Sequence, residues 1–137
     1  GNQSKGGEYK NGFFYEPTLL SGVPVSSAVC QEEIFGPVAC AIPFKKFDEV
    51  MKSANDTQFG LSAVLWTKDL SRALQFVDEI EAGFVQVNQC VAPRANVSYG
   101  GIKMSGLGKE YAFDSMMNHF TQSKTVLINR GKSNIDV

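Results

Sequence analysis

Runs of apolar residues, and apolar stripes at helical spacing, divide the chain into predicted strands and helices. A continuous apolar run at 38–44 is typical of a strand that is covered on both faces, and the largely apolar segments at 61–66 and 84–88 predict a second buried strand and a third strand. Between these runs, apolar residues recur along one helical face at 46–55 and at 70–82. The order strand, helix, strand, helix, strand predicts an α/β fold: a parallel βαβαβ sheet with flanking helices.

The second helix has sequence signals for its ends as well as for its apolar face. Asp69 precedes it and is a suitable N-cap, and Gly83 follows it as a stop residue. We expect its apolar stripe to face the sheet; this stripe consists of Leu70, Ala73, Leu74, Val77 and Ile80. A third helix is predicted over 109–120 and begins at Lys109-Glu110; its stripe contains Phe113, Met116, Met117 and Phe120.

Two segments outside these elements bear on function. Residues 13–20 suit an extended segment in which Pro17 limits pairing. Residues 89–108 form a long loop with Pro93 and several glycines, directly after the third predicted strand. Active residues of parallel sheets gather at the carboxyl ends of strands, so this loop is a candidate site.

The chain is predicted to have three parts. Residues 1–12 are polar and glycine-rich, which indicates a flexible N-terminal segment. Residues 13–120 are predicted to form one domain. Residues 121–137 contain a last strand at 124–129, which could add to a neighbouring sheet, and a polar tail.

Composition and charge then narrow the class of protein. The 137 residues are 43% hydrophobic and 20% charged, as in one ordinary globular domain. The net charge is −1 and the basic residues are scattered, which disfavours a nucleic-acid partner. No apolar run is long enough to span a bilayer, and the polar start does not suit a signal peptide.

The number and spacing of cysteine and histidine residues limit the kinds of site that the chain can form. The cysteines are Cys30, Cys40 and Cys90, an odd number without C-x-x-C spacing. We therefore expect a reducing, cytoplasmic location, no disulfide framework and no metal site, with Cys30 and Cys40 as packing residues. His119 is the only histidine, which disfavours a Ser-His-Asp triad. The stretch Gly106-Leu107-Gly108-Lys109 is not a phosphate loop, since Lys103 stands where its first glycine is required.

Four segments, in this order, resemble the aldehyde dehydrogenase superfamily. They are Gln-Glu-Glu-Ile-Phe-Gly-Pro-Val at 31–38, Ala-Asn-Asp-Thr-Gln-Phe-Gly-Leu-Ser-Ala at 54–63, Ala-Gly-Phe-Val-Gln-Val-Asn at 82–88, and Tyr-Gly-Gly-Ile-Lys-Met-Ser-Gly-Leu-Gly-Lys-Glu at 99–110. The resemblance implies the C-terminal part of the catalytic domain plus the C-terminal oligomerisation strand. It also implies NAD or NADP as cofactor, and a homo-oligomer, dimer or tetramer.

The same resemblance implies roles for individual residues. Glu33 corresponds to the glutamate that accepts hydrogen bonds from the nicotinamide ribose, and Phe35 to the aromatic residue beside the nicotinamide ring. Val91, Pro93 and Tyr99 fall where substrate-contacting side chains stand. The family's nucleophilic cysteine, general-base glutamate and dinucleotide-binding domain have no counterpart here, so we expect no catalytic residue and no activity in the isolated chain.

Three hypotheses follow. The leading one is a fragment of an oxidoreductase that converts an aldehyde to a carboxylic acid with NAD(P)+ through a cysteine thioester. The second is a non-catalytic binding or assembly module that self-associates or complements an N-terminal partner. The third is an unrelated α/β domain with its own small-molecule site.

Overall fold

The computed structural model describes residues 1–3, 6–129 and 131. A short 3-10 turn at Gly7–Tyr9 precedes the regular elements. In chain order these are β1 (Thr18–Ser21), α1 (Ala28–Gln31), β2 (Val38–Ala41), α2 (Phe47–Asn55), β3 (Phe59–Gly60), β4 (Ser62–Leu65), α3 (Leu70–Glu79), β5 (Phe84–Val87), β6 (Ile102–Lys103) and α4 (Phe113–Phe120).

Parallel pairing is confirmed, in two separate strand pairs. β1 runs parallel to β2 with Thr18 opposite Val38, and β4 runs parallel to β5 with Ser62 opposite Phe84. β3 and β6 form a short antiparallel pair. Within the described residues no ladder joins β2 to β4, so the predicted single βαβαβ sheet is not formed. The partner of β2 is instead the extended segment after Pro17, where the Thr18 amide donates to the Pro37 carbonyl at 2.8 Å.

The unit β4-α3-β5 follows the sequence pattern closely. Asp69 is the N-cap of α3, because its carboxylate accepts a hydrogen bond from the Arg72 amide at 3.1 Å. The prediction that Gly83 stops this helix is wrong, since α3 ends at Glu79 with Ile80 as C-cap. The Asn55 side chain accounts for the earlier end: it donates to the Glu79 carbonyl at 2.8 Å and accepts from the Glu81 amide at 2.9 Å.

The apolar face of α3 is divided. Phe76, which lies outside the predicted stripe, is buried, and Ala73 and Ile80 are half-buried. The other stripe residues are exposed: Leu70 by 73%, Leu74 by 58% and Val77 by 51%. The helix is apolar over a wider arc than one stripe, and only part of this arc is covered within the described chain.

The third predicted helix begins later than expected. α4 starts at Phe113, so the placement of Lys109 and Glu110 in this helix is wrong. The Glu110 backbone pairs with Tyr99 instead, with N–O distances of 2.7 and 3.0 Å. This bridge is incompatible with helical hydrogen bonding at that position.

The end of the described chain is open to solvent. The predicted stripe of α4 is exposed, with Phe113 at 69% and Phe120 at 78%. Residues 124–129 form no strand within the described chain, and Leu127 is 92% exposed there. Most of the tail after Asn129 lies outside the described residues. None of the described helices has the length and apolar character that a bilayer crossing needs.

Candidate functional site

A cleft of about 520 Å³ lies beside the central β4-α3-β5 unit. Glu33, an exposed residue, lines one side of it. The remaining walls come from Ala54, Thr57, residues 59–63, residues 80–82, Met104 and Ser105. An exposed carboxylate at the edge of such a cleft can accept two hydrogen bonds from neighbouring hydroxyl groups of a ligand.

Phe35 lies two residues from Glu33 but does not line the cleft. Its side chain is 95% exposed, so both faces of the ring are free. Two tight turns fix the backbone around it: the Gly36 amide donates to the Ile34 carbonyl at 2.7 Å, and the Val38 amide to the Gly36 carbonyl at 2.8 Å. The structure thus presents Glu33 and Phe35 on one short segment without enclosing them together.

The residues predicted to contact substrate lie in the loop after β5. Val91 and Pro93 are half-buried. The Val91 amide donates to Oε1 of Gln86 at 2.9 Å, and Gln86 itself is only 6% exposed. This buried amide side chain ties the start of the loop to β5, a function that sequence reasoning missed. The sequence did carry one signal of this role, namely a polar residue at position 86 inside an otherwise apolar strand.

Tyr99 is part of an aromatic cluster. Its ring meets Phe84 edge-on at 5.1 Å between centroids, and Tyr111 at 6.1 Å. Glu110 and Tyr111, with Met116, His119, Phe120 and Ala95, line a neighbouring cavity of about 380 Å³. Val91, Pro93 and Tyr99 are not brought together around this cavity, and their predicted substrate contacts stay predictions.

Two lysines hold the glycine-rich loop in place. The Lys109 ammonium donates to the carbonyls of Gly100 at 2.7 Å, Gly101 at 3.3 Å and Gly83 at 3.4 Å. The three donors of the ammonium group are directed at these carbonyls and not at a ligand phosphate. Lys109 therefore differs from the lysine of a phosphate loop, as its sequence context predicted.

The second lysine, Lys103, joins this loop to the end of α2. Its ammonium donates to the carbonyls of Asn55 at 2.9 Å and Thr57 at 3.1 Å, and it forms an ion pair with Glu81. The loop also approaches β3, where the Gly60 amide donates to Ser105 Oγ at 3.0 Å. Sequence reasoning did not identify these positioning residues, because their acceptors are backbone carbonyls that no side-chain motif records.

The three cysteines differ in their exposure to solvent. Cys30 and Cys40 are half-buried and Cys90 is exposed. Partial burial and the neighbouring Cys30 side chain raise the pKa of the Cys40 thiol. Among the described residues, no three His, Cys, Asp or Glu side chains are grouped as metal ligands would be.

These features define an α/β domain with pairs of parallel strands. It has a cleft with a carboxylate at its edge and a glycine-rich loop that is held in place by two lysines. The profile of the aldehyde dehydrogenase family matches residues 1–126. The chain therefore belongs to the aldehyde dehydrogenase family.

Individual relatives agree with this assignment. A 2-aminomuconic semialdehyde dehydrogenase of Danio rerio is 43% identical over 117 residues, which is 85% of this chain and 24% of the relative. Aldehyde dehydrogenase [NAD(P)+] 2 of Saccharomyces cerevisiae is 41% identical over 115 residues, which is 84% of this chain and 22% of the relative. The chain thus spans about a quarter of the length of these relatives.

The fold agrees with solved structures as well. An aldehyde dehydrogenase of Mycobacterium tuberculosis in complex with NAD+ superposes with a TM-score of 0.78 at 33% identity. The superposition covers 95% of this chain and 26% of that protein.

Proposed function

We propose that this chain forms part of the catalytic domain of an enzyme that oxidises an aldehyde to a carboxylic acid with NAD(P)+. The observation that carries the proposal is the family match over residues 1–126, combined with a carboxylate at the edge of a cleft. On this proposal the chain supplies the wall against which the cofactor is held, and the nucleophilic thiol comes from residues outside these 137.

The carboxylate at the edge of the cleft, with the aromatic ring two residues away, suits the nicotinamide end of the cofactor. The Glu33 carboxylate accepts hydrogen bonds from the ribose hydroxyls, and the free face of Phe35 limits movement of the ring. When bound, NAD(P)+ supplies the hydride acceptor of the reaction. The proposal covers NAD+ and NADP+ alike.

The loop after β5 is proposed to form part of the substrate wall, with Val91, Pro93 and Tyr99 as contacts. Gln86 fixes the Val91 amide, and the aromatic cluster fixes Tyr99. Such anchoring holds substrate-facing side chains in place, which favours a reactive orientation. Cys90 is an exposed thiol within this loop, but we assign it no catalytic role.

Self-association is proposed through the C-terminal residues. Val126, Leu127 and Ile128 are all exposed, and an apolar extended segment can add to the sheet edge of another copy. We propose a homo-oligomer, dimer or tetramer, in the cytoplasm, without a nucleic-acid or membrane partner.

The cofactor proposal is tested by Glu33→Gln in the complete protein that the gene encodes. Losing charge-assisted hydrogen bonds costs about 1.5–3 kcal/mol, so the KM for the cofactor should rise about tenfold or more. The matched control is Glu32→Gln, which removes the adjacent exposed carboxylate that does not line the cleft. Equal effects of the two substitutions would contradict the assigned role of Glu33.

A second candidate function is a non-catalytic module that assembles with itself or with a separate N-terminal partner. The exposed apolar side chains of α3 and α4 favour it, because such surface normally lies against protein. Size-exclusion chromatography of the purified chain tests it. A monomer at high concentration, unchanged by the N-terminal part of the gene product, would rule it out.

A further inference from the structure

Two of the three cysteines lie next to each other in the fold. Cys30 belongs to α1 and Cys40 to β2, and both are half-buried. The Cys40 thiol donates to the Val29 carbonyl, with 3.9 Å between Sγ and oxygen. That carbonyl carbon is bonded to the Cys30 nitrogen, and the Cys30 side chain lies close enough to raise the pKa of the Cys40 thiol. The two cysteine side chains are therefore neighbours in the fold, although nine residues separate them in sequence.

We propose that Cys30 and Cys40 form a reversible dithiol–disulfide site that closes residues 31–39 into a covalent loop. These residues include Glu33 and Phe35, so, if the proposed function holds, oxidation restrains the cofactor-binding segment. The site itself is independent of that function. Cys90 has no part in it, because it lies in the loop after β5 and is exposed.

The oxidant is a peroxide, here hydrogen peroxide. The Cys30 thiolate attacks one peroxide oxygen, the O–O bond breaks, and the hydroxide released takes up a proton, leaving a sulfenic acid on Cys30. The Cys40 sulfur then attacks the Cys30 sulfur, the S–O bond breaks, and the hydroxide leaves as water with the Cys40 proton. Two thiols and one peroxide thus become one disulfide and two water molecules.

Cys30 is assigned the first step because the local environment disfavours the thiolate of Cys40. Partial burial and the neighbouring Cys30 side chain both raise the pKa of Cys40. Cys40 therefore keeps its proton more strongly than an ordinary thiol does, and it acts as the resolving thiol.

The test uses a Cys90→Ser variant, in which the two remaining cysteines are the proposed pair. Hydrogen peroxide should remove both thiols together, lower the monomer mass by two hydrogen atoms and join the peptides that contain Cys30 and Cys40. Dithiothreitol should reverse the change. In glutathione buffers, the equilibrium constant for disulfide formation should be at least about tenfold larger in the folded chain than in urea.

Two further variants keep the test decisive. Cys30→Ser and Cys40→Ser, each combined with Cys90→Ser, leave one thiol and should give only sulfenic acid or mixed disulfide. Circular dichroism checks that each variant keeps the native fold. Independent loss of the two thiols, disulfides only between chains, or equal equilibrium constants in the folded and unfolded states would overturn the proposal.

Discussion

Two regions with similar apolar content differ in how far the chain completes them. In the central unit, residues 55–110, Phe76 is 6% exposed and the glycine-rich loop is tied down by Lys103 and Lys109. In the C-terminal segment, residues 113–128, Phe120 is 78% exposed and Leu127 is 92% exposed. The central unit is stabilised by contacts within the chain, whereas the apolar surface of the C-terminal segment is not covered within the described residues.

The difference shows how much of the packing of each region is supplied by this chain itself. Hydrogen bonds within the central unit hold its parts together, including long-range bonds such as that from Lys103 to the Asn55 carbonyl, 48 positions earlier in the sequence. The C-terminal segment has the apolar pattern of buried elements without a buried position. Substitutions should therefore affect stability in the first region and association in the second.

The largest loss of stability is expected from Gly83→Ala. A methyl group there would overlap the Gly100 carbonyl oxygen and approach Lys109 Nζ, so the loop would have to move away from β5. Overpacking of this kind costs about 3 kcal/mol, which urea unfolding measures. In the control Gly36→Ala, the nearest atom to the new methyl group is Ile34 Cγ2 at 3.9 Å. A similar small change in both variants would show that the loop does not pack tightly on β5.

Lys109→Met should have the next largest effect. The substitution keeps an unbranched side chain of nearly the same length but removes the donors to the carbonyls of Gly83, Gly100 and Gly101. We expect the free energy of unfolding to fall by about 2 kcal/mol, since partly buried acceptors lose their donor. Lys68→Met, at an exposed position, is the matched control and should be nearly neutral. If the two variants are equally stable, the lysine does not hold the loop.

Asp69→Ala should have a smaller effect on the central unit. It removes the acceptor for the Arg72 amide at the start of α3, which typically costs about 1 kcal/mol. Asp69→Asn retains an acceptor oxygen and should restore most of the stability. Thermal unfolding followed by circular dichroism measures both variants, and equal losses would mean that the cap does not stabilise α3.

The smallest effect on stability is expected from Leu127→Asp in the C-terminal segment. The residue is 92% exposed, so unfolding should change by less than about 0.5 kcal/mol. Sedimentation analysis should instead show a smaller oligomer, because a charge disfavours the proposed strand contact. Leu107→Asp, at a residue that is 99% exposed in the glycine-rich loop, is the control and should leave the oligomer unchanged. If Leu127→Asp lowers the stability and leaves the oligomer unchanged, the C-terminal segment does not serve association as proposed.

Sequence reasoning predicted elements whose signals are local. The helix predicted at 46–55 and the cap at Asp69 follow from periodicity and from one short carboxylate, and both are confirmed, the helix as Phe47–Asn55. It failed where a distant group sets the structure. Asn55 ends α3 early, and Tyr99 pairs with Glu110 in place of a helical turn.

The candidate site shows the same division. Glu33 was identified through its resemblance motif and lines a cleft. Gln86, Lys103 and Lys109 act through backbone groups, and the Asn55 carbonyl bound by Lys103 lies 48 positions away, so no side-chain motif could reveal them. The exposed half of α3 was also unpredictable, because periodicity marks an apolar face without indicating which molecule covers it.

The most direct test of the central claim is aldehyde-dependent formation of reduced nicotinamide, followed by absorbance. The purified 137-residue chain is compared with the complete protein that its gene encodes, with NAD+ and with NADP+. We predict turnover by the complete protein and none by the chain alone. Turnover by the chain alone that is abolished by Cys90→Ser would contradict the claim, because the nucleophile would then lie within these residues.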